Sequence, residues 1–212
     1  MKNGLLGLVF LGLSGLASAD VIHVEYSRFY SHVKKLDDED TNALQFAFGF
    51  IHVNEGRLCN IARADIITDK KVIPLNVTPE QRFTVPDEKA LKMANAMVEV
   101  ELDDAANQCD MSVQLETRPD YLKTRYTQDE LVFLLDQYRA FFNEMGSFLS
   151  FMMPSVQGLM IHFSDKELDA TLQGGPAITN GMLVLDEEWI ETNRGLSLPA
   201  TPLRITAKAS RN

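Results

Sequence analysis

The chain has 212 residues, a net charge of −10 at pH 7 with neutral histidines, and 45% apolar residues. That apolar content excludes wholesale disorder and is enough for a sizeable core. The acidic balance argues against a nucleic acid or a bare anionic membrane as partner, and no basic run longer than Lys34-Lys35 or Lys70-Lys71 offsets it.

Lys2, the apolar stretch Leu5 to Leu16 and the small residues Ala17-Ser18-Ala19 have the layout of a secretory signal peptide over residues 1–19. The stretch is shorter than the roughly 20 apolar residues a bilayer requires. The longest later apolar run, Phe141 to Val156, is broken by Asn143, Glu144, Gly146 and Pro154, so no transmembrane anchor is expected. Residue 20 is Asp, and no cysteine stands there to take a lipid. The expected location is a Gram-negative periplasm, with release to the medium as the alternative.

Past the leader, Tyr26, Phe29, Tyr30, Val33 and Leu36 recur at helical spacing, and Asp37-Asp38-Glu39-Asp40 reads as a solvated loop. From Ala43 the period becomes two: Leu44, Phe46, Phe48 and Phe50 alternate along a strand. Leu58 to Ile67 and Val72 to Val77 continue in β-rich residues, separated by Asp69-Lys70-Lys71. Asp87 to Met97 reads as a short helix or turn with Leu91 and Met93 inward. Val98 to Leu102 and Cys109 to Leu115 alternate as strands, with Asp103 to Gln108 as a hairpin loop between them.

Thr127-Gln128-Asp129-Glu130 is a capping box. It opens the clearest helix, with Leu131, Leu134, Leu135, Tyr138, Phe142, Met145 and Leu149 on one face as far as Phe151. Beyond Pro154, Leu159 to Phe163 reads as a strand and Ser164 to Gln173 as a short capped helix. Leu183 to Leu185 and Leu203 to Ala207 follow as strands. The expected fold is α+β: a β-rich, antiparallel, sandwich-like part over 20–120, then a helix-dominated part over 121–212 with a small mixed C-terminus, the two packed as one unit.

Cys59 and Cys109 are the only two cysteines. An even pair in an exported chain reads as one disulfide, the rival being two separate buried thiols. Their distance in sequence excludes a Cys-x-x-Cys redox site.

Reactive constellations are sparse. His23, His32, His52 and His162 form no helical metal pair and have no cysteine beside them. Asp38, Asp40 and Asn42 imitate the start of a calcium loop, but Ala43 and Gly49 stand where its glycine and bidentate carboxylate belong. Gly-x-Ser-x-Gly is absent, and Gly174-Gly175-Pro176 lacks the lysine of a phosphate loop. No cofactor, metal or catalytic residue is therefore assigned. Phe148, Phe151, Met152, Met153 and Met160 are the most unusual cluster. They read as an adaptable groove for a peptide or lipid, or as core beneath the helix, which the helical spacing favours.

Tyr26 to Tyr30, Cys59 through Leu75, Val85-Pro86-Asp87, Cys109 through Leu115 and Met153-Pro154-x-x-x-Gly158-Leu159 resemble a family of uncharacterised periplasmic proteins from Gram-negative bacteria, a domain of unknown function. The resemblance implies export and a two-cysteine pattern, and carries no activity. The leading expectation is a non-catalytic envelope protein that binds a partner protein or a small ligand. The alternatives are a hydrolase assembled in space from His162, Ser155 or acidic pairs such as Asp103-Asp104 and Asp186-Glu187-Glu188, and a lipid or peptide binder using Phe151, Met152, Met153 and Met160.

Overall fold

The computed structural model describes residues 20–146 and 155–210. Residues 1–19, where a leader is expected, and Phe148, Leu149, Phe151, Met152 and Met153 lie outside the described residues.

The chain runs through β1 (Asp20–Glu25), α1 (Tyr26–Val33), β2 (Leu44–His52), β3 (Ile61–Ile67), β4 (Val72–Pro74), α2 (Lys89–Met93), β5 (Met97–Leu102) and β6 (Cys109–Thr117). It continues through β7 (Arg125–Thr127), α3 (Gln128–Gly146), β8 (Val156–His162), β9 (Ala170–Thr171), β10 (Ala177–Ile178), β11 (Met182–Asp186), α4 (Glu187–Thr192), β12 (Gly195–Ser197) and β13 (Arg204–Ala209). The fold is α+β with antiparallel sheets, as the sequence predicts.

Three sheets matter for the site. One has strand order β1-β5-β3-β4, the second pairs β2 with β6, and the third has order β11-β8-β13. The alternation along β2 buries Phe46, Phe48 and Phe50 on one face. Phe48 meets Phe29 of α1 edge-on at 4.9 Å between centroids, and Phe46 meets Phe141 of α3 at 5.7 Å. Helices from both halves of the chain thus contribute to one continuous core cluster.

The stretch Asp103 to Gln108 is a crossover between sheets rather than a hairpin loop. Both flanks of β5 are taken by β1 and β3, leaving β6 no edge to join, and β6 pairs with β2 instead. The bond Cys59–Cys109 ties the approach to β3 to the first residue of β6, with Cα atoms 6.4 Å apart. Both cysteines are buried.

Two further expectations are corrected. Leu91 is buried, but Met93 is 75% exposed, because two residues along a helix turn the side chain to the opposite face. Ser164 to Gln173 forms turns and β9 in place of a helix. Asp165 Oδ1 accepts from the Glu167 amide at 2.9 Å, fixing a local turn. The Ala170 and Thr171 positions are then drawn into pairing with β10. The sequence signal for the neighbouring hairpin is Asn180-Gly181: both residues have positive φ (50° and 68°), and Thr179 and Met182 exchange both backbone hydrogen bonds across them. That is the two-residue turn Asn-Gly favours.

The capping box on α3 forms as read. The Glu130 amide donates to Thr127 Oγ1 at 3.3 Å, and Glu130 Oε2 accepts from the Thr127 amide at 3.0 Å. Thr127→Ala should cost about 1 kcal/mol. Urea unfolding checks this, with an unchanged m-value showing that only the cap was lost.

Candidate functional site

Where the third sheet meets β6, the two sheets do not zip together. The open face of the third sheet carries alternate residues of its strands. Val184 and Thr206 flank Met160, and Met182 and Arg204 flank His162. The opposite face, with Leu159, Ile161, Leu183, Leu185 and Ile205, is buried in the core. Period-two patterning therefore sets the half-buried row Met160, His162, Arg204 and Thr206 along the seam.

Two cavities open on this row. One, of about 470 Å³, is lined by Glu80, His162, Lys166, Met182, Val184 and Arg204 among others. The other, of about 410 Å³, lies between β6 and β13, where Val113 and Leu115 face Tyr138, Met160, His162, Arg204 and Thr206. His162 and Arg204 line both, so the two cavities are lobes of one cleft.

At the closed end of the seam stands Tyr138, fully buried on α3. Its hydroxyl donates to the Ile205 carbonyl at 2.6 Å and lies 3.0 Å from Thr117 Oγ1. It thereby joins β13 to the end of β6 where a backbone ladder would otherwise run. Burial pushes the phenol's pKa up, so it stays protonated as a donor.

The charged corner comes from a distant loop. Thr78 to Phe83 closes on itself, the Thr78 amide donating to the Arg82 carbonyl at 2.7 Å, and Phe83 bridges to Phe48 on β2. Gly49 permits this approach, since a Cβ there would lie 2.8 Å from the Gln81 carbonyl oxygen. The loop presents Glu80, which pairs with Arg204 Nη1. Arg82 reaches the Ala47 carbonyl and Ser112 Oγ, each at 3.4 Å. Glu116 accepts from Gln45 at 2.9 Å. Burial lowers the pKa of Arg82, and the like charge of Arg204 adds to that. Burial raises that of Glu116 against the pull of both arginines. The Nε atoms of Arg82 and Arg204 are buried with no hydrogen-bond partner among the described residues.

His162 Nε2 lies 3.3 Å from Thr206 Oγ1. Burial, then the Arg204 charge, hold its pKa down to about 4 from 6.5, with Glu80 opposing. The imidazole is neutral at physiological pH and a weak base. Between pH 6.5 and about 4 the unfolded chain takes up a proton that the folded one refuses, so stability present above 6.5 is lost as pH falls through this window. Urea unfolding at pH 7 and pH 5 should show a loss in the wild type that His162→Asn reduces.

The hydrolase constellation does not assemble. Ser155 precedes β8 while His162 ends it, about 20 Å away along an extended strand. Ser155 is bound through its backbone to Ser210. Of the acidic runs, Asp104 is engaged with Arg57, Asp186 with Lys208 and Glu187 with Arg139. Asp38 accepts from the Asp40 amide at the start of a short 3-10 helix, a capping role. Among the described residues no group of three or more His, Cys, Asp or Glu side chains is disposed to hold a metal, and no helix is long and apolar enough to cross a membrane.

Of the apolar residues singled out from sequence, Met160 is half-buried and lines the cleft. Glu80, Arg82, Glu116 and Arg204 escaped the sequence reading. None sits in a motif, and only the crossing of a loop over β2 and the return of β13 brings them together.

Residues 18–163 match the family described as Protein of unknown function (DUF2987). The chain belongs to this family. The matched stretch carries Glu80, Arg82, Glu116, Tyr138 and His162 and ends before Arg204. Neither a curated protein nor a solved structure matches the chain.

Proposed function

We propose that this DUF2987 protein is a non-catalytic binding protein of the Gram-negative periplasm, and that its ligand occupies the cleft at the seam between β6 and β13. The observation that carries this reading is the placing of Arg204 and His162 on both lobes, half-buried among Met160, Met182 and Val184. Ligand sites are concave and mostly apolar, with a few convergent polar groups, and commonly occupy about 300–1,000 Å³. Held down to about 4, the His162 imidazole is too weak a base to activate the neighbouring Thr206 hydroxyl well, and beside a guanidinium it suits recognition better than turnover. The leader-like residues 1–19 and the disulfide support an exported location. In this reading the 20–120 and 121–212 parts work as one unit, because the cleft takes walls from both.

A photo-reactive residue at Lys166, on the rim of the cleft, tests the reading in the intact envelope. An adduct of defined mass is expected there, and none from the same residue at Val72, which is 57% exposed on the edge strand β4. Identical adducts at the two positions, or none at Lys166, would overturn it.

A further inference from the structure

We propose that the cleft recognises an amphipathic molecule bearing a single carboxylate, which replaces Glu80 on Arg204 while an apolar chain lies over Met160, Met182 and Val184. This rests on the reading of the seam cleft as the ligand site.

Among the described residues, Arg204 is the only arginine on the walls of either lobe. Its Nη1 is engaged by Glu80, but its Nε is buried without a hydrogen-bond partner among the described residues. A guanidinium presents its donors as a planar fork that matches a carboxylate at two points. The internal carboxylate satisfies only part of that fork and leaves the Nε shut off from solvent and unpaired, so a ligand carboxylate that takes the place of Glu80 and meets the fork at two points satisfies more.

The internal partner is also replaceable. Glu80 belongs to a loop rather than a strand, and the side chains of both Glu80 and Arg204 keep contact with solvent, at 28% and 20% exposure. Swinging Glu80 into water while a ligand carboxylate takes its place leaves no buried charge unpaired, which keeps the exchange inexpensive. Arg82 stands behind Arg204 and adds positive potential at this corner. Lys166 does the same at the rim. Glu116 lies near enough to act electrostatically on Arg204 and Arg82, and its carboxylate disfavours a dianion such as phosphate more than a monoanion.

Most of the remaining cleft surface is apolar, with Thr179, Asn180, Gln114 and Thr206 as polar exceptions. Met160 and Met182 are unbranched and polarizable, so they repack around chains of differing shape. Met182 stands across from His162 and Met160 lies in the next row beside Val184, so the three give an alkyl chain a continuous floor next to the His162–Arg204 pair.

The test is an NMR titration of the full mature chain, following the methionine methyls and the Arg204 Nε–Hε signal, with octanoate, octanol and inorganic phosphate as probes. Octanoate should shift the Met160 and Met182 methyls and the Arg204 signal. Octanol and phosphate should bind about tenfold more weakly or not at all, the difference expected when a charge-assisted hydrogen bond is lost. Glu80→Gln should tighten octanoate binding by about tenfold by removing the competitor, and Arg204→Gln should weaken it by at least as much. Equal binding of octanol, or octanoate binding unchanged in both variants, would overturn the proposal. So would methyl signals that no probe moves. An adduct from Lys166 would in each case leave the cleft standing as a site for another ligand, whereas its absence would remove the cleft itself.

Discussion

Replacing Cys59 and Cys109 together with alanine is expected to cost about 4 kcal/mol and to lower Tm by roughly 10 °C. The two residues are 50 apart in sequence. Closing a loop of that length removes much of the unfolded chain's freedom, which is the main source of the stabilisation. The native state around the bridge is well occupied. Asp104 accepts from Arg57 at 2.6 Å and from the Asn60 amide at 2.7 Å. Those two hydrogen bonds hold the Asp104 carboxyl down to about 2. The Cys59 amide meanwhile donates to the Phe50 carbonyl at 2.8 Å. These contacts persist without the bond, so the double variant should fold to the same structure with lower stability. Calorimetry of the wild type, the reduced wild type and the double variant checks this. The latter two should coincide, and a double variant as stable as the oxidised wild type would refute the entropic role. Production without residues 1–19 in a reducing cytosol should give the weakened form, so that an oxidising compartment is a condition of full stability.

What the sequence made legible follows physical range. Local signals carry much of the fold: the period of two along Leu44–His52, the capping box at Thr127 and Glu130, and the helical face of Leu131, Leu134 and Tyr138 appear where their spacing places them, although the capping-box spacing of Ser164 and Glu167 yields turns and β9 in place of a helix. Each depends on residues a few positions apart. Pairing was not legible by the same means. Val98 to Leu102 and Cys109 to Leu115 look like hairpin partners by proximity, yet β5 fills its edges with β1 and β3, which lie far away in sequence. The cleft is the extreme case. Glu80 and Arg204 are separated by 124 positions, and neither is unusual among its neighbours. Met160 and His162 were noticed for residue type alone. That they share one strand face followed from their spacing, whereas that this face borders an unzipped seam did not.

The unzipped seam leads to the second large effect. Tyr138→Ala is expected to cost about 3–5 kcal/mol, the usual range for deleting a buried aromatic ring. Tyr138→Phe separates the ring from its hydroxyl. The phenylalanine keeps the packing against the core but strands the Ile205 carbonyl and the Thr117 hydroxyl, both buried. Leaving such groups unpaired costs about 1–3 kcal/mol. The location of the damage is as informative as its size. Tyr138 is a side-chain link between β6 and β13, so hydrogen exchange in Tyr138→Phe should accelerate for amides of those two strands and stay unchanged in β1, β3 and β5. A uniform rise across all strands would mean that the hydroxyl supports the core generally and does not specifically pin the seam. An octanoate titration of the same variant connects the pin to the cleft. If the hydroxyl sets the spacing of the two edges, affinity should fall even though Tyr138→Phe leaves Arg204, Glu80 and His162 untouched. Unchanged affinity would show that the walls hold their spacing without it.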